Sequence, residues 1–104
     1  MAEIDTDTFK ELLSDKALKS TSSLIILLII AMNGKITFTK LHKYLEGSKG
    51  SLKNNLDILE ESGLIRSYHV FSLKGPRLIY EITEKGLSSY KKYIEILNKI
   101  NKNT

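Results

Sequence analysis

The chain of 104 residues contains no cysteine. Disulfides, thiolate metal sites and cysteine nucleophiles are therefore excluded, and a reducing compartment suits every residue present. Histidine occurs only as His42 and His69, on segments that read as different elements, so no metal site is expected. Arginine is almost as scarce, limited to Arg66 and Arg77, and Pro76 is the single proline. Long apolar runs are missing too. The longest, Leu24 to Met32, has nine residues, against about 20 for a membrane-spanning helix. It starts too late for a signal peptide, follows an acidic start and lacks a small-residue cleavage site. It reads as a buried core helix in a soluble, cytoplasmic protein with no membrane partner.

Enzymatic chemistry is equally thin. Glu60 and Glu61 are sequence neighbours and diverge on a helix, and no nucleophile, base and orienting group converge. Gly47-Ser48-Lys49-Gly50-Ser51 lacks the Gly-x4-Gly-Lys-[Ser/Thr] spacing of a phosphate loop, so it reads as a turn and a helix cap. Neither an enzyme nor a cofactor is expected.

What is present is an ordinary globular composition, 41% hydrophobic and 27% charged, sized for one domain over residues 1–104. The charge is unevenly placed. Residues 1–15 hold Glu3, Asp5, Asp7, Glu11 and Asp15 against Lys10 alone, so the overall +4 becomes +8 over residues 16–104. A basic body of this kind fits an anionic partner, and nucleic acid is the commonest.

Thr6 or Asp7 caps an expected first helix with Phe9, Leu12, Leu13 and Ala17 at helical spacing. Serines after Lys19 cap a second helix ending at Asn33-Gly34, apolar on every side and so expected to be covered all round. Lys35 to Phe38 is β-prone. Thr39 opens a third helix, Lys40 to Glu46, with Leu41, Tyr44 and Leu45 facing inward; Gly47 makes a tight turn; Ser48 caps a fourth helix ending at Ser62-Gly63. Two helices joined so briefly, over about residues 39–63, make a helix-turn-helix. Strands follow at Leu64 to Leu73 and Leu78 to Thr83, forming a hairpin over about 64–83 with its tip at Lys74-Gly75-Pro76-Arg77. Thr83 caps a last helix, about 84–101. The fold class is α+β, mostly helical: a winged helix-turn-helix with a small antiparallel sheet and extra N- and C-terminal helices.

Two motifs sharpen this reading. They are Leu52-x3-Leu56-x2-Leu59-Glu60-Glu61-x-Gly63-Leu64-Ile65 and, further on, Pro76-Arg77-x2-Tyr80-x-Ile82-Thr83-x2-Gly86. On these the segment from Leu41 to Leu87 resembles the small MarR-like winged-helix transcriptional regulators common in archaea. That resemblance implies a homodimer that binds double-stranded DNA. It also allows an effector pocket between the dimer helices and the DNA-binding unit, which Tyr90, Tyr93 and the first helix would line; nothing else in the sequence supports one.

On a helical wheel Leu52, Leu56 and Leu59 share one side of the fourth helix, and Gly50, Asn54, Asp57 and Glu61 the other, with Ser51 and Lys53 on the shoulders. Lys49 lies in the first turn. No acid occurs from Gly47 to Leu56. Residues 48–62 thus read as a recognition helix for the major groove, using Lys49, Gly50, Ser51, Lys53 and Asn54. Lysine neutralises phosphates; Asn and Ser hydrogen-bond base edges. The tip at 73–77 brings Lys74 and Arg77 toward the minor groove, and Lys40, with Lys35 and Lys43, borders the third helix near the DNA backbone. Arg77 has a structural alternative, packing on Tyr80 or pairing with Glu81. The polar face of the fourth helix has one as well, simple solvation.

The last helix carries two apolar stripes. Tyr90, Ile94 and Leu97 are expected to cover the chain's own core, leaving Tyr93, Ile96 and Ile100 for a partner, which is a second copy or, alternatively, the first helix of the same chain. The dimer interface read from the sequence comprises Phe9, Leu13, Tyr90, Tyr93, Ile96, Leu97 and Ile100. Two other functions stay open: a winged-helix module for protein–protein interaction, and a non-specific architectural nucleic-acid-binding protein, which the shortage of arginine favours.

Overall fold

A computed structural model describes Ala17 and residues 20–102. The expected first helix, with Phe9 and Leu13, lies outside the described residues apart from Ala17, which is buried. The serine-rich break does cap a helix: Ser20 is extended and its hydroxyl accepts from the Ser23 N–H at 3.4 Å. That starts α1 (Thr21–Asn33), which ends at Gly34, held at φ +77° where a side chain would be strained. β1 (Lys35–Thr37) follows. The Thr37 hydroxyl accepts from the Lys40 N–H at 3.1 Å and opens α2 (Phe38–Leu45), two residues earlier than the sequence suggests. Ser48 caps α3 (Lys49–Glu61). Then come β2 (Ile65–Ser72), β3 (Gly75–Ile82) and α4 (Glu84–Lys102).

The turn between α2 and α3 differs from expectation in one detail. Glu46, not Gly47, takes the left-handed conformation, at φ +50°. A side chain there costs about 1 kcal/mol. Two contacts hold it: the Glu46 N–H donates to the His42 carbonyl at 3.1 Å, and His42 Nε2 lies 2.7 Å from the Gly47 carbonyl, which makes the ring nitrogen the donor. His42 also stacks on Phe38 with the rings 3° from parallel. His42 thus ties the turn.

The three strands form one antiparallel sheet in the order β1-β3-β2, with Tyr80 of β3 opposite Ile36 on one side and Ser67 on the other. The hairpin tip falls at Leu73-Lys74, and Gly75 and Pro76 already belong to β3. Proline is tolerated in this central strand because β1 pairs only with Ile79 to Glu81, so Pro76 has a neighbour on one edge alone.

The core gathers Ile26, Leu27 and Ile30 of α1, Leu41 of α2, Leu52, Leu56 and Leu59 of α3, then Leu64, Ile65 and Tyr80. α1 is only partly covered: Ile25 and Met32 are exposed, against the expectation of burial all round. Tyr44 is 54% exposed rather than inward. Leu41 is the residue of α2 that reaches the core, and Tyr44, a turn further on, is carried past its edge. On α4 the stripes are exchanged in part. Ile96 is buried within the chain and Leu97 is exposed; the two are 100° apart on the wheel, so a helix that turns one inward turns the other out. No helix among the described residues is long and apolar enough to cross a membrane.

The start of α4 locks against the end of α3. The Thr83 hydroxyl donates to the Gly63 carbonyl at 2.6 Å and accepts from the Gly86 N–H at 3.1 Å, while Lys85 Nζ donates to the Ser62 carbonyl at 2.6 Å. The backbones meet so closely that a Cβ on Gly86 would stand 2.6 Å from Ile82 Cδ1 and nearer still to the Leu64 carbonyl oxygen. A backbone atom cannot swing aside as a side-chain end can. Gly86→Ala is therefore expected to lower stability by about 2 kcal/mol or more, read as a fall in the urea midpoint; an unchanged midpoint would contradict this packing.

Candidate nucleic-acid interface

Ser48 leaves the start of α3 open to the outside. Its hydroxyl takes the Ser51 N–H at 3.0 Å and its carbonyl takes the Leu52 N–H at 3.1 Å, so the Lys49 and Gly50 N–H groups have no intrahelical partner. With the helix dipole behind them they suit an anion. Lys49, Gly50, Ser51, Lys53 and Asn54 are all exposed, as the leucine spacing requires once Leu52, Leu56 and Leu59 are buried. A Cβ added at Gly50 would meet nothing within 4 Å, so a large partner has room to come close to the backbone at this turn.

Lys53 is not an independent cation. Its ammonium donates to Asp57 Oδ1 at 2.6 Å, one turn along the same helix. Both side chains are about half exposed, and such a pair adds only about 0.3–0.5 kcal/mol to a helix. Its local effect is clearer: the Asp57 hydrogen bond holds the Lys53 pKa above its ordinary value. The absence of acid up to Leu56 does not keep carboxylate away from the basic surface, because Asp57 reaches back.

Beneath this surface lies Tyr80, 0% exposed; among the described residues its hydroxyl meets no partner at full hydrogen-bond geometry, and the Lys53 ammonium is the nearest candidate. Burial pushes its pKa up, and the nearby Lys53 ammonium opposes that shift. Glu60, also on α3, accepts from the Ser67 hydroxyl at 2.8 and 3.1 Å on its two carboxylate oxygens. This clamp joins the rear of α3 to β2 and sets the angle between helix and hairpin.

A second basic region lies between α2 and the hairpin. A surface groove of about 890 Å³ is lined by Lys40, Lys43, Tyr44, Lys74, Pro76 and Arg77, among others. Four residues named from the sequence, Lys40, Lys43, Lys74 and Arg77, meet here, and Tyr44 is the residue the sequence reading placed inside. Neither alternative for Arg77 is realised: it is exposed, the Glu81 carboxylate is bound by Arg66, Nε to Oε1 at 2.6 Å, and Arg77 has no ion pair among the described residues.

Of the expected interface residues on α4, Leu97 and Ile100 are exposed, Tyr90 and Tyr93 half-buried, and Ile96 is inside. Ile96 is withdrawn from that surface, because a side chain already packed within its own chain has little left to offer a partner.

The winged helix DNA-binding domain family matches residues 23–101. The structure is similar to that of a transcriptional regulator homologue from Pyrococcus horikoshii, at 26% identity and a TM-score of 0.76, covering 93% of this chain and 96% of that one. It is also similar to a MarR-family protein from Enterococcus faecalis, at 20% identity and 0.75, covering 94% and 86%. A third neighbour is reduced AbfR, whose structure was solved bound to DNA: 23% identity, TM-score 0.65, 78% of this chain and 59% of that one. No curated protein matches the chain significantly.

The unpartnered Tyr80 hydroxyl carries a direct consequence. A buried polar group without a hydrogen bond costs about 1–3 kcal/mol. Tyr80→Phe should therefore raise stability by about 1 kcal/mol, seen as a higher urea midpoint with unchanged slope; a clear loss would mean that the Lys53 ammonium or a water satisfies the hydroxyl.

Proposed function

The chain belongs to the winged helix DNA-binding domain family, and from that premise we propose that it is a transcriptional regulator that binds double-stranded DNA selectively as a homodimer. α3 enters the major groove, and the hairpin reaches the adjacent minor groove. The observation that carries this reading is the exposed, acid-free outer side of the first two turns of α3, backed by three buried leucines. Lys49 and Lys53 neutralise phosphates, the free N–H groups of the first turn receive one more, and Asn54 and Ser51 read base edges. Lys40, Lys43, Lys74 and Arg77 line a continuous basic wall on which the DNA backbone lies.

Dimerisation draws on the exposed Leu97 and Ile100 of α4, with Tyr90 and Tyr93 beside them. Phe9 and Leu13 remain part of the proposal from the sequence. A two-fold pair would present two α3 helices to half-sites about 34 Å apart, one turn of the duplex. A single recognition helix makes too few base contacts for selection. The lack of arginine on α3 favours a second reading, architectural binding with little sequence preference, because no side chain there forms the bidentate contact to guanine. Competition between unrelated duplexes at physiological salt separates the two.

Contacts of different kinds leave different signatures. Lys49→Ala should weaken binding on all duplexes and flatten the slope of log K against log salt by about 0.9. Asn54→Ala should leave that slope alone and relax preference at particular base pairs by about 1–3 kcal/mol. If neither change alters binding to duplex DNA selected from genomic fragments, α3 is not the reading surface. Asp57→Asn tests the competition within the site. It releases Lys53 and removes a negative charge, so duplex affinity at low salt should rise about twofold, the worth of one exposed i,i+4 ion pair; an unchanged or lower affinity would show that Lys53 does not face phosphate.

A further inference from the structure

The hairpin tip combines two properties that folding does not require of it. Phe71 is 87% and Leu73 108% exposed, so neither belongs to the core, and large apolar side chains at a solvent-facing turn gain nothing by burial in the monomer. The same tip is basic. Lys74 sits in the turn, Arg77 three residues on, and no acid occurs from Ser62 to Tyr80. An apolar point with cations at its base matches neither a hydrophobic core nor a freely solvated loop.

The tip is also rigid. Ser72 and Gly75 are paired across a two-residue turn. The Ser72 hydroxyl donates to the Gly75 carbonyl at 2.9 Å and accepts from the Lys74 N–H at 3.3 Å. Opposite Phe71 stands Pro76, whose ring fixes φ. A stiff point loses little conformational freedom when it inserts into something. Successive strand residues alternate in side, so Phe71 shares the side of Ile65 and Ser67, the one against which α3 packs through Glu60. Phe71 lies about 13 Å beyond Ser67 along β2, clear of that packing.

We infer that the hairpin tip is an apolar wedge for duplex DNA: Phe71 and Leu73 enter the minor groove and partly unstack one base step, while Lys74 and Arg77 hold the flanking phosphates. The partner is fixed by charge complementarity, since the cations at the base and the basic groove beside them, with Lys40 and Lys43, exclude an uncharged apolar surface as the best fit. Wedges of Phe or Leu kink the duplex toward the major groove by roughly 20–90°. The wedge would bring the DNA around the protein onto that groove and add sequence preference through deformability at flexible pyrimidine–purine steps to the base contacts of α3. This inference rests on duplex binding and adds to it a bend and its agent.

The test uses the full chain and a duplex of about 30 base pairs selected for binding from genomic fragments, labelled at its ends for energy transfer. The wild type should shorten the end-to-end distance. The double variant Phe71→Ala, Leu73→Ser should bind about 10- to 100-fold more weakly with an unchanged salt slope and leave the duplex straight; Phe71→Leu should retain most of the bend. Lys74→Ala should do the reverse, keeping the bend and flattening the salt slope by about 0.9. Both altered side chains are exposed, so circular dichroism and the thermal midpoint should stay at wild-type values. The inference is overturned if the wild type binds without bending, or if the double variant binds and bends as the wild type does. It is also overturned if the double variant changes only the sedimentation coefficient, which would make the tip a contact between copies. A wild type that fails to bind any duplex would instead sink the functional reading beneath it.

Discussion

Everything this protein presents outward on α3 is held in place by what the same helix presents inward. Leu52, Leu56 and Leu59 are buried against Tyr80, Leu64 and the α1 side chains Ile26, Leu27 and Ile30. Each such leucine is worth roughly 2 kcal/mol of transfer free energy, and together they fix the rotation of the helix about its own axis. Lys49, Ser51 and Asn54 follow. The Glu60–Ser67 clamp adds a fixed angle to the hairpin, and the meeting of Gly86 with Leu64 sets the last helix across the end of α3. The polar surface is thereby presented by a scaffold with few soft degrees of freedom, which is what a reading surface needs if little conformational freedom is to be lost on binding.

Electrostatics on that surface is a balance rather than a sum of lysines. Lys53 is engaged by Asp57, and the α2 side is richer in free cation than the charge pattern of α3 suggests. A duplex brings its own high density of charge and releases counterions as lysines approach. An exposed ion pair of small intrinsic worth yields readily to such a competitor, so in the proposed complex the Lys53–Asp57 contact would tune affinity without blocking it. In the proposed complex the hairpin would act in a different register, through shape and stiffness, beside a helix that has no arginine for guanine.

Much of this was legible in the residues. The serines at 20 and 48 and the threonine at 83 announce helix starts because their hydroxyls accept N–H groups that a helix leaves free, whereas at the third start Thr39 is the residue the sequence suggests and Thr37 the one that caps. The leucine spacing of α3 assigned its buried side correctly, since that helix packs on one side only. Errors fell where a choice between neighbouring positions depended on a partner. Tyr44 suits a core by chemistry and lies at helical spacing from Leu41, yet it stands in the open groove between α2 and the hairpin. Ile96 and Leu97 are equally apolar, and only the tertiary packing of α4 chooses between them. Gly47 was the natural residue for a left-handed turn, and Glu46 takes it because His42 and the helix end hold the backbone there. The tip of the hairpin moved by one or two residues, since register is set by pairing with β1 and β2 and not by proline alone.

Composition and period were enough to establish a basic chain, the order of its elements among the described residues and the outward side of α3, because those follow from local spacing and from hydroxyls at helix starts. Distances between segments far apart in the chain are of another kind. That Lys40, Lys43, Lys74 and Arg77 share a groove, that Tyr80 is buried with an unpartnered hydroxyl, and that Phe71 and Leu73 are left bare at a stiff point all depend on how the sheet is registered and where it stops. A side chain's exposure is a property of its neighbours in space, and the chain does not carry those neighbours in order.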